Sequence, residues 1–285
     1  MSICYLNGEY LPLDQARISP LDRGFLFGDG IYEVIPSYGG KLVGFGPHID
    51  RMKEGMALIE IGFNWDHAQW KDLCEQLMAK NGNGNLGIYL HVSRGADTKR
   101  YHAYPEGVEP TLFAFTFEIA EPPVADKAKA KGYKVSSTED LRWRRCHIKS
   151  TALLGNVMHF QKGYAEGNNE TILYNANNEL TEASACNAFI VKNGVVITPP
   201  LDTQILPGIT RLMLLDILRK HTDIKVEERV VTMKEVAAAD EVWITSSSKE
   251  VAPVISVDGK AVGTGQIGDV WLKAQKAFEA HRYDY

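Results

Sequence analysis

The sequence predicts a two-domain protein of mixed α/β (α+β) class, and three observations point there. Stretches with strand periodicity and stretches with helix periodicity both recur along the whole chain. Glu121-Pro-Pro-Val-Ala-Asp126 interrupts the pattern with two prolines, and the apolar pattern restarts beyond it. The 285 residues, 45% hydrophobic and 24% charged, supply enough apolar surface for a real core and suit two domains or one large one. The predicted division is a smaller N-terminal α/β domain over 1–120, a linker over 121–126, and a larger β-rich C-terminal domain with flanking helices over 127–285.

The elements follow in order. Ser2 to Leu6 and Glu9 to Leu13 flank Asn7-Gly8, a hairpin signal. Gly24, Gly28 and Gly30 permit close backbone approach or positive φ, so Arg23 to Gly30 reads as a turn entering a strand over Ile31 to Tyr38. A helix from Pro47 carries Ile49, Met52, Met56 and Ile59. A second, about His67 to Lys80, buries Trp70, Leu73, Cys74, Leu77 and Met78. Strands at Gly87 to Ser93 and Thr111 to Phe117 bracket a polar loop, Arg94 to Pro105.

After the linker, Gly132 to Ser136 reads as a strand and Thr151 to Gly167 as a helix with Leu153, Val157, Phe160 and Tyr164 on one side. Strands follow at Thr171 to Asn175, Asn187 to Val191 and Val195 to Thr198, the last two joined by Asn193-Gly194. Gly208 opens an apolar helix to about His221. Thr232-Met-Lys-Glu235 is a capping box. Glu241 to Ser246 is apolar enough to be a central strand. Val251 to Val257 is a strand turning at Asp258-Gly259, and a helix over Asp269 to His281 closes the chain.

Composition narrows the function. A net charge of -5 with no basic stripe argues against nucleic acid and anionic membranes as partners. Cys4, Cys74, Cys146 and Cys186 lie far apart with no C-x-x-C, which predicts neither a zinc site nor a disulfide framework and fits a reducing cytoplasm. The opening residues do not read as a signal peptide, and no apolar run is long enough to cross a bilayer.

Candidate chemistry centres on Ser137 to Ser150. If that stretch is extended, Trp143, Arg145, His147 and Lys149 share one face, and Arg142, Arg144, Cys146 and Ile148 the other. A lysine held among cations beside apolar chain can act as a nucleophile towards carbonyls and as a proton shuttle; the alternative is an ordinary solvated lysine. Leu206-Pro-Gly-Ile-Thr-Arg211 is a glycine turn into a helix, where the amides of Ile209 and Thr210 could receive an anion or simply begin the helix. Thr245-Ser-Ser-Ser248 offers donors at the end of the central strand, or is a plain loop. Glu182 is either a solvated turn acid or a carboxylate that pairs with a buried cationic nitrogen. Arg51 reads as a surface arginine or a phosphate clamp. Arg100 and His102, two residues apart, read as loop residues or as a carboxylate trap.

Taken together, Phe27-Gly-Asp-Gly-Ile-Tyr-Glu33, His48-Ile-Asp-Arg51, Arg100-Tyr-His102, Glu139-Asp-Leu-Arg-Trp-Arg-Arg-Cys-His-Ile-Lys-Ser150, Leu180-Thr-Glu-Ala183, Leu206-Pro-Gly-Ile-Thr-Arg211 and Thr245-Ser-Ser-Ser248 resemble the fold-type IV pyridoxal 5'-phosphate enzymes, and more narrowly the bacterial D-amino acid (D-alanine) aminotransferases. The resemblance spans essentially the whole chain. It implies a homodimer acting on small amino and 2-oxo acids by ping-pong transamination, with the C-terminal domain binding the cofactor. It implies that Lys149 bonds covalently to the cofactor and moves the substrate proton, and that Glu182 keeps the pyridine nitrogen protonated. Arg51, Ile209, Thr210, Ser246 and Ser247 would take the phosphate. Tyr32, with Arg100 and His102 of the partner subunit, would hold the substrate carboxylate. Branched-chain L-amino acid aminotransferase and aminodeoxychorismate lyase are the alternatives within the same fold type. Cys186 is expected to be a structural thiol.

Overall fold

The computed structural model describes residues 2–285, and its contacts fall into two units. The first comprises residues up to Glu121 together with Ile148–Leu153 and the last residue. The second comprises Pro122–His147 and Leu154–Asp284. The segment carrying Lys149 therefore clusters with the N-terminal unit, although it lies in the half of the sequence assigned to the C-terminal domain.

The first unit contains β1 (Ile3–Leu6), β2 (Glu9–Pro12), α1 (Arg23–Phe27), β3 (Gly30–Tyr38), β4 (Lys41–Leu42), α2 (Phe45–Leu58), α3 (His67–Asn81), β5 (Leu86–Ser93) and β6 (Thr111–Glu118). Its six strands run in the order β2-β1-β6-β5-β3-β4, every pair antiparallel. The two longer helices cover the sheet with the residues their periodicity selects. Ile49, Met52 and Met56 of α2 and Trp70, Leu73, Cys74, Leu77 and Met78 of α3 join Ile31, Ile35, Ile88 and Leu90 of the strands in one core. Each such side chain contributes roughly 1.5–3 kcal/mol of burial. A short helix, α1, stands where the sequence reads as a turn. Asp22 caps it by accepting from the Gly24 amide, and Gly28 ends it in the left-handed region at φ 68°. Gly28 must be glycine for a second reason: a Cβ there would lie 2.9 Å from the Ala152 backbone.

The second unit contains β7 (Tyr133–Glu139), α4 (Leu154–Ala165), β8 (Glu170–Tyr174), β9 (Leu180–Ala183), β10 (Asn187–Lys192), β11 (Val195–Thr198), α5 (Ile209–His221), β12 (Val226–Glu228), α6 (Met233–Ala237), β13 (Glu241–Ser246), β14 (Glu250–Val257), β15 (Lys260–Ala261) and α7 (Asp269–His281). Its sheet runs β12-β11-β10-β13-β14-β7-β8-β9, with β15 on β14. β14, β7 and β8 are mutually parallel, as are β11 and β12. β13 is central, as its apolar run requires. The Asn193-Gly194 turn has both residues at positive φ, and the Thr232–Glu235 capping box forms.

Two local expectations fail. Beyond Glu139 the chain leaves β7 and runs irregularly to Lys149, so the alternating faces expected over Ser137 to Ser150 do not exist. The helix expected over Thr151 to Gly167 begins at Leu154, and its apolar residues Val157, Phe160 and Tyr164 face outward, while His159 and Gly163 face the sheet. Glycine is needed there because a Cβ on Gly163 would collide with Thr171 Oγ1.

Candidate active site

In the first unit, β3 positions a lysine and a carboxylate cluster. The backbone of Ile148–Leu153 lies along the start of β3: Tyr32 N donates to Lys149 O at 3.1 Å, Thr151 N donates to Gly30 O at 2.9 Å, and Ile31 and Ser150 form a bridge. This fastens Lys149 beside Tyr32, and its Nζ sits 4.1 Å from the Tyr32 ring centroid. The Lys149 amine makes no hydrogen bond or ion pair among the described residues, so it is held over the Tyr32 ring and left chemically available. Tyr32 stacks in turn on Tyr89 at 5.6 Å, whose hydroxyl burial pushes up to about 12.

One residue further along β3, on the opposite face, Glu33 is fully buried. It accepts from His48 Nδ1 at 2.7 Å and from Arg51 Nε and Nη2, each at 2.7 Å. His48 and Arg51 are three apart on α2 and so share a face. Burial alone would raise the Glu33 carboxyl. The charges and hydrogen bonds of Arg51 and His48 outweigh it and hold the group far below the usual carboxylate range. Burial likewise holds the His48 ring below its ordinary range, against the pull of Glu33.

Arg100 and His102 lie on an exposed loop of the same unit. Both side chains fall against Phe27. The Arg100 guanidinium is 5.1 Å from its ring centroid and the His102 ring 5.3 Å.

In the second unit, Glu182 sits on β9 with 4% of its surface exposed. Its Oε1 accepts from Arg142 Nη1 at 2.7 Å, and its Oε2 accepts from Asn187 Nδ2 and from the Leu206 amide, each at 3.1 Å. Arg142 gives its other edge to Asp140, Nε at 2.9 Å and Nη2 at 2.7 Å. A buried carboxylate and a partly buried one therefore share one guanidinium. The consequence differs for each. Asp140, hydrogen-bonded on both oxygens, is held below its usual range despite burial. Burial pushes Glu182 up to about 7, with Arg142 opposing and Asp140 adding to the rise. The cluster is one positive charge short.

The anion-binding features adjoin this cluster. Asn187 links Glu182 to the turn before α5, donating also to Leu206 O at 2.9 Å, and it pairs in register with Thr245 of β13. Gly208 packs on it so closely that a Cβ would collide with Asn187 Oδ1. α5 then begins at Ile209 and Thr210 with no side-chain cap. Nearby, the buried hydroxyls of Thr245 and Ser246 find no hydrogen-bond partner among the described residues, and Ser247 is half-buried in the turn that follows. Uncapped amides and orphaned hydroxyls are the donors a phosphate takes.

Sequence reasoning singled out Lys149, Glu182 and the α5 turn, but missed Asp140, Arg142 and Asn187 as parts of a site and missed Glu33 and His48 as the partners of Arg51. Asp140 and Arg142 reach Glu182 only through the non-extended course after β7. Glu33 was visible as the residue next to Tyr32 within a strand, on the face that must be buried if Tyr32 is not. Cys186 is buried beside Glu170 at 3.6 Å, and burial pushes its thiol up to about 12, as a structural thiol requires.

Comparison with known proteins bears on this geometry. The family model for amino-transferase class IV matches residues 30–257. A D-alanine aminotransferase from Bacillus licheniformis is 37% identical over 96% of this chain and 94% of its own length. One from Staphylococcus haemolyticus is 34% identical over 99% and 98%. Among solved structures, the Escherichia coli branched-chain amino acid aminotransferase superposes with a TM-score of 0.91 at 23% identity, covering 99% of this chain and 95% of that one. The T.th. branched-chain amino acid aminotransferase complexed with N-(5'-phosphopyridoxyl)-L-glutamate gives 0.88 at 20% identity, over 99% and 94%.

Proposed function

We propose that this chain, which belongs to the amino-transferase class IV family, transfers the amino group of D-amino acids of the D-alanine type to a 2-oxo acid such as 2-oxoglutarate, using pyridoxal 5'-phosphate. The products would be pyruvate and D-glutamate, formed in two half-reactions. The names of the relatives at 34–37% identity over nearly the full length support the substrate class.

The observation that carries the cofactor reading is the charge count at Glu182. Two carboxylates, Glu182 buried and Asp140 partly so, share the Arg142 guanidinium, and a protonated pyridine nitrogen would supply the cation the cluster lacks. The unpartnered Thr245 and Ser246 hydroxyls and the uncapped start of α5 fit a phosphate, so the residues present suit the group. When bound, the cofactor delocalises the electron pair left by breaking the substrate Cα–H bond.

The remaining work belongs to the protein. Lys149, its amine unpaired over Tyr32, would hold the cofactor and carry the proton from the substrate Cα. Glu182 holds the proton on the pyridine nitrogen. Ile209 and Thr210 amides with Ser246 and Ser247 bind the phosphate, and Arg51, its plane fixed by Glu33, adds its charge. Tyr32, with Arg100 and His102 reaching in from the partner subunit, would hold the substrate carboxylate. A homodimer in the cytoplasm fits the rest of the chain: α4 exposes Leu154, Val157, Met158 and Tyr164, which a second copy would cover, and all four cysteines are free, buried thiols. No helix of the described residues is long and apolar enough to cross a membrane.

Two measurements test the reading. Borohydride treatment of protein loaded with pyridoxal phosphate, then digestion, should yield a pyridoxyl-bearing peptide containing Lys149, and Lys149→Ala should lose both that label and multiple turnover. A mutant that keeps either overturns the assignment. Turnover of D-alanine, L-leucine and aminodeoxychorismate measured side by side should favour D-alanine; preference for either of the others replaces the substrate assignment with that of the corresponding relative.

A further inference from the structure

The loop that carries Arg100 and His102 has no regular structure, and its residues from Thr98 to Tyr104 are exposed. Such a segment is floppy by default, since little burial offsets its conformational entropy. Here it is gripped from below. Arg23, 3% exposed, donates Nη1 to Tyr101 O at 2.6 Å and Nη2 to His102 O at 3.2 Å. Its Nε goes to Asp29 Oδ2 at 2.7 Å. Asp29 also receives Arg94, Nε at 2.8 Å and Nη2 at 3.0 Å. Arg94 is anchored on the carbonyls of Ile59 and Glu60 and lies 3.5 Å from the Tyr104 ring centroid.

One partly buried carboxylate thus orients two buried arginines, and the two hold the loop at separate points. Taking a guanidinium out of water to bind neutral backbone carbonyls is costly unless a charge partner stands behind it, and Asp29 is that partner. The carbonyls held are those of Tyr101 and His102, so the backbone between the Arg100 and His102 side chains is fixed. Phe27, at the far end of the helix that Arg23 begins, forms the platform against which both side chains lie, 4.9 Å from the Arg23 guanidinium itself. Lysine could not substitute, because three directed donors in one plane are used.

We propose that Arg23, oriented by Asp29, is a positioning residue for substrate carboxylate recognition: it pre-sets the backbone of Tyr101 and His102 so that Arg100 and His102 are presented together. The proposal rests on the reading of Arg100 and His102 as the carboxylate trap. Pre-organisation acts on substrate binding rather than on proton transfer at Lys149, so its loss should raise KM more than it lowers kcat.

The test uses Arg23→Gln and Arg23→Lys in the full-length, cofactor-loaded enzyme, with Arg100→Ala beside them. Arg23→Gln leaves Asp29 paired with Arg94, so no buried charge is orphaned. The expected result is a rise in KM of about tenfold or more for both D-alanine and 2-oxoglutarate, a smaller change in kcat, a lower D-to-L efficiency ratio, and unchanged cofactor content. Hydrogen exchange of the loop amides from Thr98 to Tyr104 should quicken in both variants, and lysine should not rescue. Wild-type KM values and ratio in Arg23→Gln, alongside impaired Arg100→Ala, would overturn the positioning role. An equal loss in kcat and kcat/KM, or full rescue by lysine, would overturn it too. An unimpaired Arg100→Ala would instead remove the trap reading, and loop exchange alone would then decide whether Arg23 holds the loop.

Discussion

Glu33 in the first unit and Glu182 in the second are both buried glutamates hydrogen-bonded to an arginine, yet they are driven in opposite directions. Glu33 has Arg51 on both oxygens and His48 besides. Glu182 has one arm of an arginine whose other edge belongs to Asp140, and its remaining donors are neutral amides. The first is a completed charge cluster. The second is incomplete by one cation. Burial and an arginine neighbour do not make a carboxylate structural; the balance of charge around it decides whether it is satisfied or waiting for a ligand.

The largest expected break of this contrast is Glu33→Gln. Removing the carboxylate breaks a buried ion pair, taking from Arg51 and His48 the hydrogen bonds they make to Glu33, which typically costs about 3–5 kcal/mol, measurable by urea unfolding. The acid limb should change as well. Because the folded carboxyl lies below its unfolded value, the folded state binds fewer protons, so this stabilisation is complete above the unfolded pKa of about 4.3 and is lost as pH falls below it. The variant should show a flatter decline in stability below that pH; an unchanged acid limb would contradict the completed-cluster reading.

Glu182→Gln should behave conversely. On the proposed function it removes the charge that would hold the pyridine proton, and kcat with D-alanine should fall on the order of 10²–10³-fold. Because the proposed phosphate donors lie on α5 and β13, away from Glu182 itself, cofactor content should remain near wild type. Near-normal kcat would mean that the missing cation is not the cofactor.

The same contrast explains what could be read without coordinates. Helices α2, α3, α5 and α7 and the hairpin at Asn193-Gly194 were legible because amphipathic periodicity and turn chemistry are local. β9 was not, since its four residues are too short for a pattern, and it is the strand that carries Glu182. The face of α4 misled because its apolar residues are exposed: periodicity finds an apolar face but not what covers it. Within the site, Lys149 and Glu182 stood out through the resemblance of their motifs, whereas their charge environment depends on contacts between residues 40 or more apart, such as Arg142 with Glu182, and on an irregular segment that the alternation rule treats as a strand.

The finest probe of the contrast is Asp140→Asn, which converts the second cluster into a likeness of the first: one buried carboxylate with an arginine less shared. Asp140 adds to the rise of Glu182, so its loss should bring the Glu182 midpoint below about 7 in the cofactor-free protein, as read by carbon NMR of the labelled carboxyl. The sign in stability follows. With its folded pKa above the unfolded value, Glu182 makes the cofactor-free protein lose stability as pH rises from about 4.3 to about 7. Asp140 has its unfolded pKa of about 3.9 below that window and its folded value lower still, so it adds little slope there. In Asp140→Asn the decline should therefore be shallower and end at lower pH. Asparagine keeps the shape but weakens the hold on Arg142, so kcat should drop less than in Glu182→Gln; an unmoved midpoint would show that the second carboxylate, and with it the charge deficit, plays no part in tuning Glu182.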